Sequence, residues 1–154
     1  MPDYRHVRSV TREQVAVGER LGLDLSQDTW AVARARILDA VGTAIGDQER
    51  YDEPTDNQIA WAESLGIDVT RHSYRVAFAM INDALWEREN QLIREMNLKP
   101  GDRVARDREY EHEGQVHKWR EGFVISSIGK DGRLYFRGVG CKSGWPSAFT
   151  KVED

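Results

Sequence analysis

The stretch Thr11–Val41, TREQVAVGERLGLDLSQDTWAVARARILDAV, decides the fold, because Thr55–Leu85, TDNQIAWAESLGIDVTRHSYRVAFAMINDAL, is the same stretch written again. The two align without a gap at an offset of 44 positions, with 13 identical pairs among 31 aligned positions. A repeat at this spacing means one supersecondary unit used twice, each copy burying a face against the other. Both copies open on Thr-x-x-Gln, at Thr11 and Gln14 and at Thr55 and Gln58. That is a capping box, in which the hydroxyl accepts from a backbone N–H and the amide reaches back to the cap. Pro54 keeps the chain entering the second copy extended. Gly22 and Gly66 stand where a helix stop needs positive φ, and Leu23 and Ile67 supply the apolar residue that packs back. Thr29 and Ser73 are candidate caps for a second helix in each copy.

In those second helices Val32, Ala33, Arg36, Ile37 and Ala40 match Val76, Ala77, Met80, Ile81 and Ala84, an apolar stripe of helical period. The expectation is two helix–turn–helix units related by a pseudo-twofold axis, with Ile37 and Ile81 buried near it. Asp39 and Asp83 are not explained by packing; they either bond the neighbouring copy's turn or face solvent. After Gly42 and Gly46 the first copy breaks. The second runs on through Trp86–Asn97, where Leu85, Leu92, Ile93 and Met96 keep helical register. That stripe is expected to dock on the C-terminal domain or on a second protomer, as a homodimer contact through residues 86–97.

Composition changes at Asn97-Leu98-Lys99-Pro100-Gly101-Asp102, which divides a helical domain, 1–97, from a β domain, 98–154. Strands are expected over Arg103–Ala105, Glu121–Ile128, Arg133–Gly138 and Ser147–Val152, with a tight turn at Lys130-Asp131-Gly132. The acidic run Asp107-Arg108-Glu109-Tyr110-Glu111-His112-Glu113 reads as an exposed loop. Strands this short suit a small, bent barrel better than a sandwich. The fold class is thus α+β: a tandem helix-turn-helix repeat of four helices, then a small barrel.

The residues Gly101, Asp102, Val104, Gly122, Val124, Ile128, Asp131, Gly132, Tyr135, Phe136, Trp145 and Val152 give the C-terminal third a pattern that resembles SH3-like barrels of the Tudor and KOW sort. The pairs Thr11 and Gln14 with Leu21 and Gly22, and Thr55 and Gln58 with Leu65 and Gly66, resemble helical units appended to DNA-processing proteins of bacteria and their phages. These resemblances imply nucleic-acid association and a phage or mobile-element context.

Charge is uneven. Residues 1–97 hold 17 acids and 11 Lys/Arg, net −6, and residues 98–154 hold 11 Lys/Arg and 9 acids, net +2, which together make the −4 of the chain. Within 114–152, seven bases face two acids. Aromatic residues Trp119, Phe123, Tyr135, Phe136, Trp145 and Phe149 are interleaved among them. Cations meet phosphates and rings stack on bases, so this composition suits nucleic acid; it equally suits a small barrel with an aromatic core and a basic exterior. Strand alternation puts Arg133, Tyr135 and Arg137 on one face, with Leu134 and Phe136 inward. Lys142, Lys118 and Arg120 extend the nucleic-acid-binding set. In the competing reading, a protein-interaction adaptor or inhibitor such as a phage-type factor acting on a host complex, the partner contacts are Trp119, Trp145, Glu109 and Glu111.

Catalytic chemistry is not expected. His6, His72, His112 and His117 are scattered, and with Cys141 they make no four-ligand set at zinc spacing, so neither metal nor cofactor is expected. Gly140-Cys141-Lys142-Ser143-Gly144 has the wrong order for a phosphate loop, and Trp145-Pro146 stops a helix at once. No carboxylate pair sits in apolar sequence that would tune it for acid–base work. The lone Cys141 excludes an internal disulfide, and no apolar run approaches the length of a membrane span, so a cytoplasmic protein without membrane contact is the expectation.

Overall fold

The computed structural model describes residues 7–46, 52–138, 140 and 142–153. Four helices precede a five-stranded antiparallel sheet: α1 (Arg12–Arg20), α2 (Trp30–Ile45), α3 (Asp56–Ser64), α4 (Tyr74–Glu95), β1 (Arg103–His112), β2 (Gln115–Ile128), β3 (Leu134–Phe136), β4 (Ser143–Gly144) and β5 (Thr150–Lys151), with a 3-10 turn at Pro146–Ala148. The chain divides into two compact units, and the division falls inside α4 between Glu87 and Arg88. No helix among the described residues is long and apolar enough to cross a membrane.

The first unit carries the repeat at atomic detail. Both capping boxes form: Thr11 Oγ1 accepts from the Gln14 N–H and Gln14 Oε1 from the Thr11 N–H, and Thr55 and Gln58 do the same. Each Gln also donates onward to the first residue of the next helix, Gln14 to the Trp30 carbonyl at 2.9 Å and Gln58 to the Tyr74 carbonyl at 3.1 Å. Gly22 and Gly66 sit at φ 73° and 74°. The Leu23 N–H then bonds the Gly18 carbonyl and the Ile67 N–H the Ala62 carbonyl, closing a Schellman stop in each copy. Asp39 and Asp83 bond across the copies. Thr29 Oγ1 donates to Asp83 and Ser73 Oγ donates to Asp39, the reciprocal exchange that a pseudo-twofold relation produces.

One expectation needs correction here. Ile81 is buried among Ala62, Val69 and Ala77, but Ile37 is only half-buried. In copy one, Arg36 stands where Met80 packs in copy two, and Val41 is exposed where Leu85 packs. Ile37 therefore lacks the neighbours that cover Ile81. Helix α2 runs through the buried Gly42 and ends at Gly46, at φ 75°, the break expected after the two glycines.

Copy one also solves its core differently. A Cβ built on Gly18 falls 2.6 Å from Leu25 Cδ1. In copy two the same pair of positions is Ala62 and Val69, both buried. The larger Leu25 thus requires the glycine, and the smaller Val69 leaves room for alanine.

In the second unit the sheet order is β4-β3-β2-β1-β5, with β4 and β5 at its two edges. Its core is Ile93, Leu98, Val104, Ile125, Leu134, Phe136 and Phe149, joined by Met96, Phe123 and Ile128. Ile93 and Met96 come from the end of α4, so two of the four apolar residues of its stripe are taken up in this unit's own core. Asn97 at φ 46° ends the helix, with the Leu98 N–H bonding the Ile93 carbonyl. Glu89 is buried and accepts from the Ser147 N–H at 2.8 Å and from the Ser147 hydroxyl, which anchors the 3-10 turn before β5. β2 carries a bulge between Ile125 and Ser127 that bends it as it passes from β1 to β3.

The acidic run is not a loop. Asp107–His112 are the outer half of β1, paired residue for residue with Gln115–Arg120 of β2 around Glu113 and Gly114. Both turn residues are left-handed, at φ 51° and 75°, the geometry of a two-residue turn that matches strand twist. Nor is Ser147–Ala148 strand: it lies in the 3-10 turn.

Two stability predictions follow from these contacts. Gly18→Ala costs about 1–2 kcal/mol by overpacking Leu25, and Leu25→Val in the same chain restores most of it, as copy two already does. Urea titration of the single and double variants checks this; strictly additive losses would contradict it. Asp102 feels desolvation that raises its pKa, but hydrogen bonds from Lys151 Nζ at 3.0 Å and from the Lys99 N–H at 3.0 Å outweigh it and hold the carboxyl below its ordinary 3.8. A carboxylate lowered in the folded state contributes stability above its unfolded pKa and loses it as pH falls through the folded value. Asp102→Asn therefore flattens the loss of stability below about pH 4, measured as the urea midpoint against pH.

Candidate nucleic-acid interface

The alternation of β3 holds: Leu134 and Phe136 are buried and Tyr135 is exposed between them. Arg137 follows it, also exposed. The third member of the expected face is committed elsewhere. The Arg133 guanidinium lies 4.8 Å from the centre of the half-buried Trp145 ring, and its Nε is buried with no hydrogen-bond partner among the described residues. Arg133 and Trp145 therefore form a stacked pair within the protein, a cation on an aromatic face. Lys142 is exposed just before β4.

Arg103 completes the surface in its place. Arg103 pairs with Val124 across β1 and β2, and the Arg137 N–H bonds the Val124 carbonyl at 3.0 Å. Directly opposed residues project to one side of a sheet, so Arg103, Val124 and Arg137 form a row across three strand positions. Tyr135 shares the face of Arg137. An open groove of about 500 Å³ runs between the two arginines, over Val124, Val152 and the bare backbone of Gly122 and Gly138. Neither guanidinium has a partner among the described residues, and both are exposed.

Lys118, Arg120, Trp119, Glu109 and Glu111 all lie on the outer β1–β2 ribbon, where every residue from 107 to 120 is exposed. Register sorts them onto two faces. On one, Lys118 meets Glu109 at 3.5 Å and Arg120 meets Asp107 at 3.9 Å, so these cations are answered by the opposing strand. Arg120 also donates to Thr150 Oγ1. The other face is aromatic. Tyr110 stacks on His117 with centres 4.9 Å apart and meets Trp119 edge-on at 5.7 Å. Arg106 and Arg108 stand at the base of this strip, 2.8 Å and 3.4 Å from Glu121. The Arg106 hydrogen bond, with a second from the Trp119 Nε1–H, lowers the Glu121 pKa against the opposing effect of burial.

Sequence alternation found Tyr135 and Arg137. It missed Arg103, whose partnership with Arg137 exists only through the β1–β2–β3 register. His112 and His117 sit on the ribbon, while His6 and Cys141 lie outside the described residues. Among the described residues no three His, Cys, Asp or Glu side chains group as a metal site. Comparison of the chain with protein-family models, curated proteins and solved structures finds no match.

The two arginines of β3's flanks should separate in their variants. Arg133→Ala loses about 1 kcal/mol of stability and shifts tryptophan emission through Trp145. Arg137→Ala leaves stability within about 0.5 kcal/mol of the parent. Equal effects on the urea midpoint would show that Arg133 is not held by the indole.

Proposed function

We propose that this protein is a non-enzymatic, nucleic-acid-associated accessory module whose sheet unit contacts the phosphate backbone. The observation that carries this reading is the row Arg103–Val124–Arg137, two exposed guanidinium groups without a partner among the described residues, flanking an open groove with Tyr135 on the same face. Planar guanidinium forks match phosphate oxygens, and an uncommitted cation loses no internal partner on binding. Three short strands, β3, β4 and β5, a bulged and bent β2 and a compact core of Phe123, Phe136 and Phe149 support the reading of this unit as a small SH3-like barrel. The side of the ribbon carrying Lys118 and Arg120 contributes little net charge, since its acids answer those bases.

A second reading, a protein-interaction adaptor, draws on the aromatic side of the ribbon, where Tyr110 is 51% and Trp119 43% exposed. Rings left this open on a projecting hairpin suit a partner's surface as well as a base.

Titration of labelled single- and double-stranded oligonucleotides at two salt concentrations distinguishes the two. Binding through phosphates weakens as salt rises, with a slope of about 0.7–0.9 per contact. The Arg103→Ala, Arg137→Ala double variant is expected to weaken binding alike across sequences and to flatten that slope by about 1.5. Arg133→Ala leaves the slope unchanged. A parent protein that binds no oligonucleotide at low salt rejects the proposal and moves the weight to a protein partner.

A further inference from the structure

The first unit has an open aromatic groove between α2 and α4. Its two walls are repeat-equivalent: Trp30, Arg34 and Leu38 on α2 face Tyr74, Phe78 and Asn82 on α4, each set spaced one helical turn apart. Ala31, Ala35 and Ala79 form a low floor, and Trp86 closes one end. The volume is about 300 Å³, the lower limit for ligand pockets, which suits a few side chains better than a cofactor. Phe78 is 52% exposed, and Trp30 and Leu38 are 38% each.

The two copies match at buried Ala35 and Ala79 but diverge on the rims, Arg34 against Phe78 and Leu38 against Asn82. One rim thus offers a cation and the other a bare ring. The remaining charges are taken: Asp83 accepts from Thr29, and Arg75 lies 3.4 Å from Asp39. Arg34 is exposed and has no partner among the described residues.

From this we infer that the groove binds a short amphipathic segment of a protein partner, one that lays two large apolar side chains on Trp30 and Phe78 and a carboxylate on Arg34. A basic segment would meet Arg34 as a like charge. A long acidic tract would meet the net −6 of residues 1–97. The complementary ligand therefore carries an isolated carboxylate among apolar residues, the pattern of a helix docking in a groove.

The test uses the full chain and two blocked, fluorescein-labelled helical peptides, each with two Leu one turn apart. One carries a single Glu between them and the other a Lys. Fluorescence anisotropy is expected to show saturable binding of the Glu peptide, at least about tenfold tighter than the Lys peptide. Arg34→Glu inverts the preference, and Phe78→Ala weakens the Glu peptide by about tenfold, as loss of a central aromatic anchor does. Both positions are exposed, so circular dichroism of the variants should match the parent. Absence of saturable binding, or a peptide preference unmoved by Arg34→Glu, overturns the inference. So does sedimentation showing that the parent self-associates and Phe78→Ala does not, which assigns the groove to a second copy. Nucleic-acid binding plays no part in these readouts.

Discussion

Two hydroxyl groups hold the helical unit together. Thr29 Oγ1 accepts from the Val32 N–H and donates to Asp83; Ser73 Oγ accepts from the Val76 N–H and donates to Asp39. A cap alone satisfies a helix start locally. Here the hydroxyl proton is directed at the other copy's carboxylate, so starting one helix and docking the two copies are a single event. The exchange is half-buried, where a charged acceptor strengthens the bond and an orphaned carboxylate would be costly. The aromatic groove between α2 and the first part of α4 inherits its spacing from this pair of bonds.

The repeat made that unit legible because its determinants are local. Thr11, Gln14, Gly22 and their equivalents act within a few residues of their own position, so the sequence contains both ends of each interaction. Asp39 and Asp83 were recognisable as unexplained, and their partners lay among the capping residues already identified. What the repeat concealed was divergence. Treating the copies as equal placed Ile37 in the core, whereas Arg36 and Val41 had withdrawn the neighbours that Met80 and Leu85 give Ile81. Gly18 carried a readable signal, since a glycine opposite Leu25 where the other copy has Ala62 opposite Val69 marks a compensated pair.

In the sheet the limits were non-local. Asp107–Glu113 read as a loop because acidic residues are depleted in strands, yet its acids alternate with Arg108, Tyr110 and His112 at period two. Pairing with Lys118 and Arg120 makes those acids tolerable, and that depends on register. The same holds for the candidate site. Tyr135 and Arg137 could be placed from strand alternation alone. Arg103 required knowledge of which residue opposes Val124, and the diversion of Arg133 onto Trp145 required the fold of the following loop.

The outer ribbon has a consequence for solubility. Among the described residues, β5 and Val152 cover β1 from Arg103 to Ala105, and β3 with Arg137 covers β2 from Val124 onward. Between those points both outer edges of the hairpin present backbone N–H and carbonyl groups to water, a template on which another extended chain can anneal. The row Asp107, Glu109, Glu111, Lys118 and Arg120 stands beside those edges. Exposed ion pairs of this kind add little to folding free energy. Their value lies in exclusion: an incoming strand must match an alternating charge pattern or bury an unpaired charge. The ribbon can stay long, exposed and aromatic on one side because its other side rejects indiscriminate strand addition.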